Sequence, residues 1–248
     1  ATKGHPLEPP GTQHLGRRVA QTPVNSEKYR PFFLHVPKAK VRRTFEATTQ
    51  YATNVMSGCT ILQTLKSPYP ANNVWRRNEP VATDTIYATT PAVRSGGQKM
   101  AQIFIGRKSL VIDVYGMTNE REFVNSFEDV IQKRGAMDVL MSDGAKVEDS
   151  RRVKDILRAL QIKDRHSEAE YQHQNPCERR WYHLKRHTQW WMNWRDCTPH
   201  SWLLCLGWVA VVMNHTAERS IVWRPRLQVL TGQTIDLSII LVFIFSYV

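Results

Sequence analysis

Residues 81–115 restrict this chain more than any other part of it, because three short runs with strand character follow one another through tight connections. Val81-Ala-Thr-Asp-Thr-Ile-Tyr87 alternates apolar and polar residues. A Thr/Pro/Ser/Gly turn at 89–97 leads into Met100-Ala-Gln-Ile-Phe-Ile105, and a second turn at Gly106-Arg-Lys108 introduces Ser109-Leu-Val-Ile-Asp-Val-Tyr115. Connections this short cannot hold a crossover helix, so the pattern predicts an antiparallel meander.

The period then changes. Phe123, Phe127, Val130 and Ile131 fall at helical spacing, with Asn119 as N-cap and Gly135 as C-terminal stop. Met137-Asp-Val-Leu-Met141 reads as a short buried strand ending in Ser142-Asp143-Gly144. Val153, Ile156, Leu157 and Leu160 mark a second helix, residues 163–174 are polar, and Asn175-Pro176 opens a long helix running to about Asn193. This order, βββ-α-β-α-loop-α, predicts an α/β fold: a mixed sheet in which parallel strands extend the meander through helical crossovers, with helices on its flanks. That is the ribonuclease-H-like arrangement, although many α/β domains share pieces of it.

The 248 residues are enough for one large domain with extensions. With 42% apolar and 23% charged residues, 12 Gly and 13 Pro, neither global disorder nor a collagen-like chain is expected. Cys59, Cys177, Cys197 and Cys205 lack CxxC spacing, which argues against a zinc ribbon or disulfide scaffold and for a reducing, intracellular compartment. No cleavable signal is expected at the chain's start. The apolar runs Leu203–Met213 and Leu237–Val248 are shorter than the roughly 20 residues a bilayer span needs, so no membrane association is expected. They read as a buried helix and a strand-like tail, whose lack of a polar stop suggests a cut from a longer polypeptide.

Charge is unevenly spread. Residues 1–80 hold 12 Lys and Arg against 4 Asp and Glu, whereas residues 81–180 hold 16 against 15. Basic flanks on an acid-rich segment suit a protein that approaches a polyanion and keeps carboxylates for a separate task; a solvated basic tail is the plainer reading. The expected division is a flexible basic arm at 1–34, a basic pre-core segment at 35–80, the core at 81–200, and a post-core helix with truncated apolar tail at 201–248.

Within the core, Asp143 and Glu178 lie 35 residues apart, and Asp84 lies on the first strand. The separation alone is poor evidence, because Asp113 and Glu148 repeat it. Context favours the first pair. Asp143 ends an apolar strand and precedes a glycine, and Glu178 stands in the first turn of a helix, where the positive end favours an acid. Asp113 is inside a strand and Glu148 in a polar loop.

Four segments carry a family resemblance: Glu79-Pro-Val-Ala-Thr-Asp-Thr85, Leu110-Val-Ile-Asp-Val-Tyr-Gly-Met117, Met141-Ser-Asp-Gly-Ala145 and Tyr171-Gln-His-Gln-Asn-Pro-Cys-Glu-Arg179. Trp202-Leu-Leu through Asn214-His215 and Arg224-Pro-Arg-Leu-Gln-Val-Leu-Thr-Gly-Gln-Thr234 continue it. Together they resemble the integrase core of copia-type long-terminal-repeat retrotransposons, a branch of the retroviral integrase superfamily, and especially its divergent diatom and algal group. The match spans roughly residues 35–240.

The resemblance implies that Asp84, Asp143 and Glu178 are catalytic metal ligands for Mg²⁺ or Mn²⁺, used in DNA 3′-end processing and strand transfer. It also implies a nuclear homo-oligomer acting on element ends and target DNA. Two departures stand out. No upstream zinc module is evident, since His5, His14, His35 and Cys59 lack paired ligand spacing, and the acid turn continues Gly144-Ala-Lys-Val-Glu148 in place of the family's usual residues. Hard carboxylate oxygens suit such cations, and no covalent protein nucleophile is required.

Tyr182 and Lys185 follow Glu178 by four and seven residues and so share its helix face, in reach of DNA beside the metals. Arg179 and Arg186 are DNA contacts or a solvated basic face; Arg180 is equally ambiguous. Trp190, Trp191 and Trp194 read as packing residues or interface aromatics. Two other readings stay open: a metal nuclease of the same fold acting on RNA–DNA hybrids, and a catalytically inactive DNA-binding or assembly module from a decayed element.

Overall fold

The computed structural model describes residues 25–49, 74–142, 150–166 and 176–242, with backbone alone for 176–179 and 242. Its centre is a five-stranded sheet built from β1 (Pro80–Ala92), β2 (Gln98–Gly106), β3 (Ile112–Met117), β4 (Val139–Ser142) and β5 (Lys163–His166), in the order β3-β2-β1-β4-β5. β1, β2 and β3 pair antiparallel, as the meander predicts, while β4 joins β1 and β5 joins β4 in parallel. The parallel pairs need crossovers, supplied by α3 (Phe123–Arg134) and α4 (Arg151–Ala159).

Both faces of the sheet are covered. On one side Phe104 packs with Phe123 and Phe127 of α3, and Val81 and Leu140 join Val153 and Leu157 of α4. On the other, Ala82, Ile86, Ile103 and Ile112 meet α5 (Pro176–Trp194) and α6 (Trp202–His215) through Leu184, Trp191, Leu206 and Val209. Each fully buried side chain of this size contributes about 1.5–3 kcal/mol relative to exposure. Trp191 is buried, and Trp190 and Trp194 stack at 5.7 Å with His35 edge-on to both, although Trp194 keeps 40% of its surface exposed.

The expected arm meets the fold in its last ten residues. α1 (Ser26–Tyr29) and a 3₁₀ turn at Arg30–Phe33 bring Phe33 and Leu34 into the α5/α6 core, and α2 (Lys38–Ala47) adds Val41. The rest of the arm, and most of the periodic stretch around Phe45–Leu65, lie outside the described residues. Beyond α6 come the ribbon β6 (Ala217–Glu218) and β7 (Arg224–Pro225), then α7 (Arg226–Thr231) and α8 (Ser238–Val242).

Four local expectations need correction. The turn at 89–97 begins later, because β1 runs to Ala92 across a register irregularity that accommodates Pro91. β3 starts at Ile112, since Ser109 and Leu110 stay in the turn, where the buried Glu79 carboxylate accepts from the Ser109 N–H and hydroxyl and from the Lys108 N–H. Gly106 is required there, because a Cβ would come within 2.5 Å of the Glu79 Oε1 and Ser109 Oγ atoms. Residues 163–166 form β5 although all four side chains are exposed. The apolar tail turns helical at α8, burying Leu237 and Ile240 three residues apart.

Asn214 of α6 closes the free edge of β3. Its Oδ1 accepts from the Ile112 N–H at 2.9 Å and its Nδ2 donates to the Ile112 carbonyl at 2.7 Å, taking the place of a sixth strand.

Candidate active site

Asp84 sits on β1 opposite Ile103 of β2, and Ile103 sits opposite Val114 of β3. Directly paired residues share a face, and Ile103 and Val114 belong to the α5/α6 core. Asp84 therefore faces α5 and α6. Its neighbours Thr83 and Thr85 turn to the other face, where Gln102 ties them together: its Nε2 donates to Thr83 Oγ1 at 2.6 Å, and its Oε1 accepts from Thr85 at 2.6 Å. Gln102 is fully buried and braces β1 on both sides of Asp84. No sequence signal marks that role, which depends on a cross-strand pairing.

β4 runs alongside this point, with Ala82 opposite Met141, and ends at Ser142. Ser142 Oγ lies 3.1 Å from His166 Nδ1, and His166 Nε2 lies 3.2 Å from Asp164 Oδ2, so the end of β4 is pinned to β5 by side chains as well as backbone. Asp143, one peptide bond on, lies outside the described residues, as does Glu148. Glu178 lies in the first turn of α5, which begins at Pro176 as expected. Among the described residues no group of three His, Cys, Asp or Glu side chains could hold a metal ion; that set excludes the side chains of Asp143 and Glu178.

Along α5 three stripes serve three environments. Leu184, Thr188 and Trp191 are buried toward the sheet and α6. Tyr182, Lys185 and Arg186 are exposed, while Arg180, His183 and His187 line a cavity behind the helix. Arg179 lies in the first turn, before the residues with described side chains. The exposed stripe continues the helix face that begins at Glu178, so Tyr182 and Lys185 are open to a partner there.

Asp113 belongs to the opposite face. It pairs with Phe104 of the α3 core and is buried, and Arg134 of α3 grips its carboxylate through Nε at 3.1 Å to both oxygens and Nη2 at 2.9 Å. Lys133 stands 3.7 Å away. Burial first, and the Asp113 charge second, push the hydroxyl of the adjacent Tyr115 far above its ordinary value. A carboxylate engaged this way on the far face cannot share ligands with Asp84, which removes the rival 35-residue pair at its first member.

The mixed sheet, its strand order and its flanking helices define a ribonuclease-H-like fold of the integrase-core type. Solved structures of that kind match it. The HTLV-2 integrase catalytic core domain in complex with magnesium aligns at TM-score 0.50 and 14% identity, over 62% of this chain and 96% of that one. The BIV integrase catalytic core domain aligns at TM-score 0.50 and 14% identity, over 62% and 95%. A chain of the simian T-cell lymphotropic virus intasome with PP2A regulatory subunit B56 gamma aligns at TM-score 0.54 and 13% identity, over 85% and 74%. No family model matches the sequence, and no curated protein matches it. No helix of the described residues is long and apolar enough to cross a membrane.

Proposed function

We propose that the chain is the catalytic core of an integrase from a copia-type retrotransposon, trimming DNA 3′ ends and joining them to target DNA. The carrying observation is the placement of Asp84 on the α5 face of an integrase-type sheet, beside the end of β4, while Asp113 is neutralised on the other face.

In this reading Asp84, Asp143 and Glu178 hold the divalent cation, Mg²⁺ or Mn²⁺, and their all-oxygen donor set fits such an ion. When bound, the cation supplies Lewis acidity at the phosphate and lowers the pKa of a hydroxyl or water. The chain's own work is positional. Gln102 and the Ser142–His166–Asp164 contacts keep β1 and β4 in register at the site. Tyr182 and Lys185, with Arg179 and Arg186 around the same helix, hold the DNA backbone in a salt-sensitive, largely sequence-independent way. The reading requires Asp143 to share Asp84's face. It also makes DNA ends the substrate, a homo-oligomer the working form and the nucleus the site of action.

The test is incubation of the chain with a matched terminal duplex and Mn²⁺, followed by product sizing. Trimmed and joined products are expected, and Asp143→Asn should abolish both while leaving folding and most DNA binding intact. Joining that survives in this variant would refute the assignment, and metal-independent binding without cleavage by the wild type would turn the reading toward an assembly module.

A further inference from the structure

Behind α5, roughly half a helical turn round from Glu178, Tyr182 and Lys185, lies a cavity of about 270 Å³ whose walls come from α2, α5, α6 and the β6–α7 segment. Its charge is unbalanced. Lys40, Arg180 and Arg226 face it against a single carboxylate, Glu218. Glu218 Oε2 is taken by Lys40 Nζ at 2.9 Å, and Arg226 Nη2 reaches the same oxygen only at 3.5 Å.

Arg226 is the anomaly. It is 2% exposed, and its Nε and Nη1 find no acceptor among the described residues. Burial, and then the Arg180 charge, bring its guanidinium down to about 10. A buried guanidinium with open N–H groups and a like charge nearby is costly unless an acceptor arrives. His187, on the same wall, is lowered by burial and by Lys40, so it adds no standing charge at neutral pH yet can supply a donor.

We propose that this cavity is a binding seat for a phosphoryl oxyanion of at least two charges, held by Arg226, Arg180 and Lys40. A guanidinium fork matches phosphate oxygens in pairs, and a dianion would restore the charge balance that one carboxylate leaves unmet. The depth of Arg226 favours a small free phosphoryl compound or a terminal phosphate over the side of a duplex. The seat is separate from the Asp84 site, and its occupation requires neither metal nor DNA chemistry.

The experiment titrates the full chain with pyrophosphate at constant ionic strength, without metal or DNA, following heat of binding and Tm. Saturable binding with a rise in Tm is expected for the wild type, with affinity at least about tenfold weaker in Arg180→Ala and no saturable binding in Arg226→Met. Arg180→Ala keeps the test decisive should Arg226→Met fail to fold, because Arg180 is only half-buried. An unsaturable wild-type response, or equal affinity in a folded variant, would overturn the proposal. Competition then identifies the source. Displacement of pyrophosphate by a 5′-phosphorylated oligonucleotide but not by its 5′-hydroxyl counterpart assigns the seat to a nucleic-acid terminus. Displacement by neither assigns it to a free phosphoryl compound, and equal displacement by both would overturn the seat in favour of general backbone attraction.

Discussion

Asp84 and Asp113 lie one register step apart across β2, on opposite faces of one sheet, and meet opposite surroundings. The α3/α4 face offers Asp113 a guanidinium in bidentate contact and buries the carboxylate. The α5/α6 face leaves Asp84 half-buried near the end of β4. One aspartate is thus part of the scaffold, while the other is the one the proposed function uses, and the two are told apart by their face and not by residue type or spacing.

Three experiments bear on that contrast. The largest expected effect separates the two acids. Asp84→Asn should cut DNA joining at least about a thousandfold, the scale of losing several kcal/mol of charge stabilisation, with Tm nearly unchanged. Asp113→Asn should leave the folded fraction active but cost roughly 3 kcal/mol by urea unfolding, because Arg134 loses its partner while keeping some contact with water. If the effects were exchanged, the assignment of faces to roles would fall.

A smaller effect concerns acid. His35, His187 and His215 all lie on the α5/α6 side, and burial lowers each below the ordinary imidazole value of 6.5; for His215 a bond to the Val211 carbonyl opposes this only in part. The unfolded chain then binds protons more readily than the folded one. The stability these groups carry is present above that value and is lost as pH falls below it, by at most about 1.4 kcal/mol per pH unit for each group. Hydrogen exchange at pH 5.5 should show α5 and α6 opening before α3 and α4, and His215→Gln should blunt the difference. Uniform loosening of both layers would remove this asymmetry between the faces.

The smallest effect is electrostatic. Lys185→Ala should reduce the slope of log affinity for duplex DNA against log salt by about one phosphate contact, with fold and Tm intact. An unchanged slope would return Lys185 to a solvated face.

The local signals read well where one face of an element is apolar. Phe123, Phe127, Val130 and Ile131 mark α3, Asn119 caps its leading 3₁₀ turn by accepting from the Arg121 N–H at 3.0 Å, and Gly135 ends it at φ 91°. β5 was not legible, because Lys163, Asp164, Arg165 and His166 all face water and carry no alternation; parallel pairing with β4 makes them a strand, and their charges protect the edge. The burial of Phe33 and Leu34 was equally hidden, since Phe45 and Val41 lie close by but the α5 and α6 residues of the same core lie more than a hundred residues further on.

The sequence by itself determined the order of the core elements apart from β5, the meander and the helix opened by Pro176, and it pointed to candidate acids at strand and helix ends, because periodicity and capping act within a few residues. The tertiary structure decided which acid faces which layer, and it gathered Lys40, Arg180, Glu218 and Arg226 around one cavity. Alternation along a strand says that neighbouring residues face apart, but when helices cover both faces it cannot say which layer either residue meets. Only the register between strands and the packing of distant helices supply that.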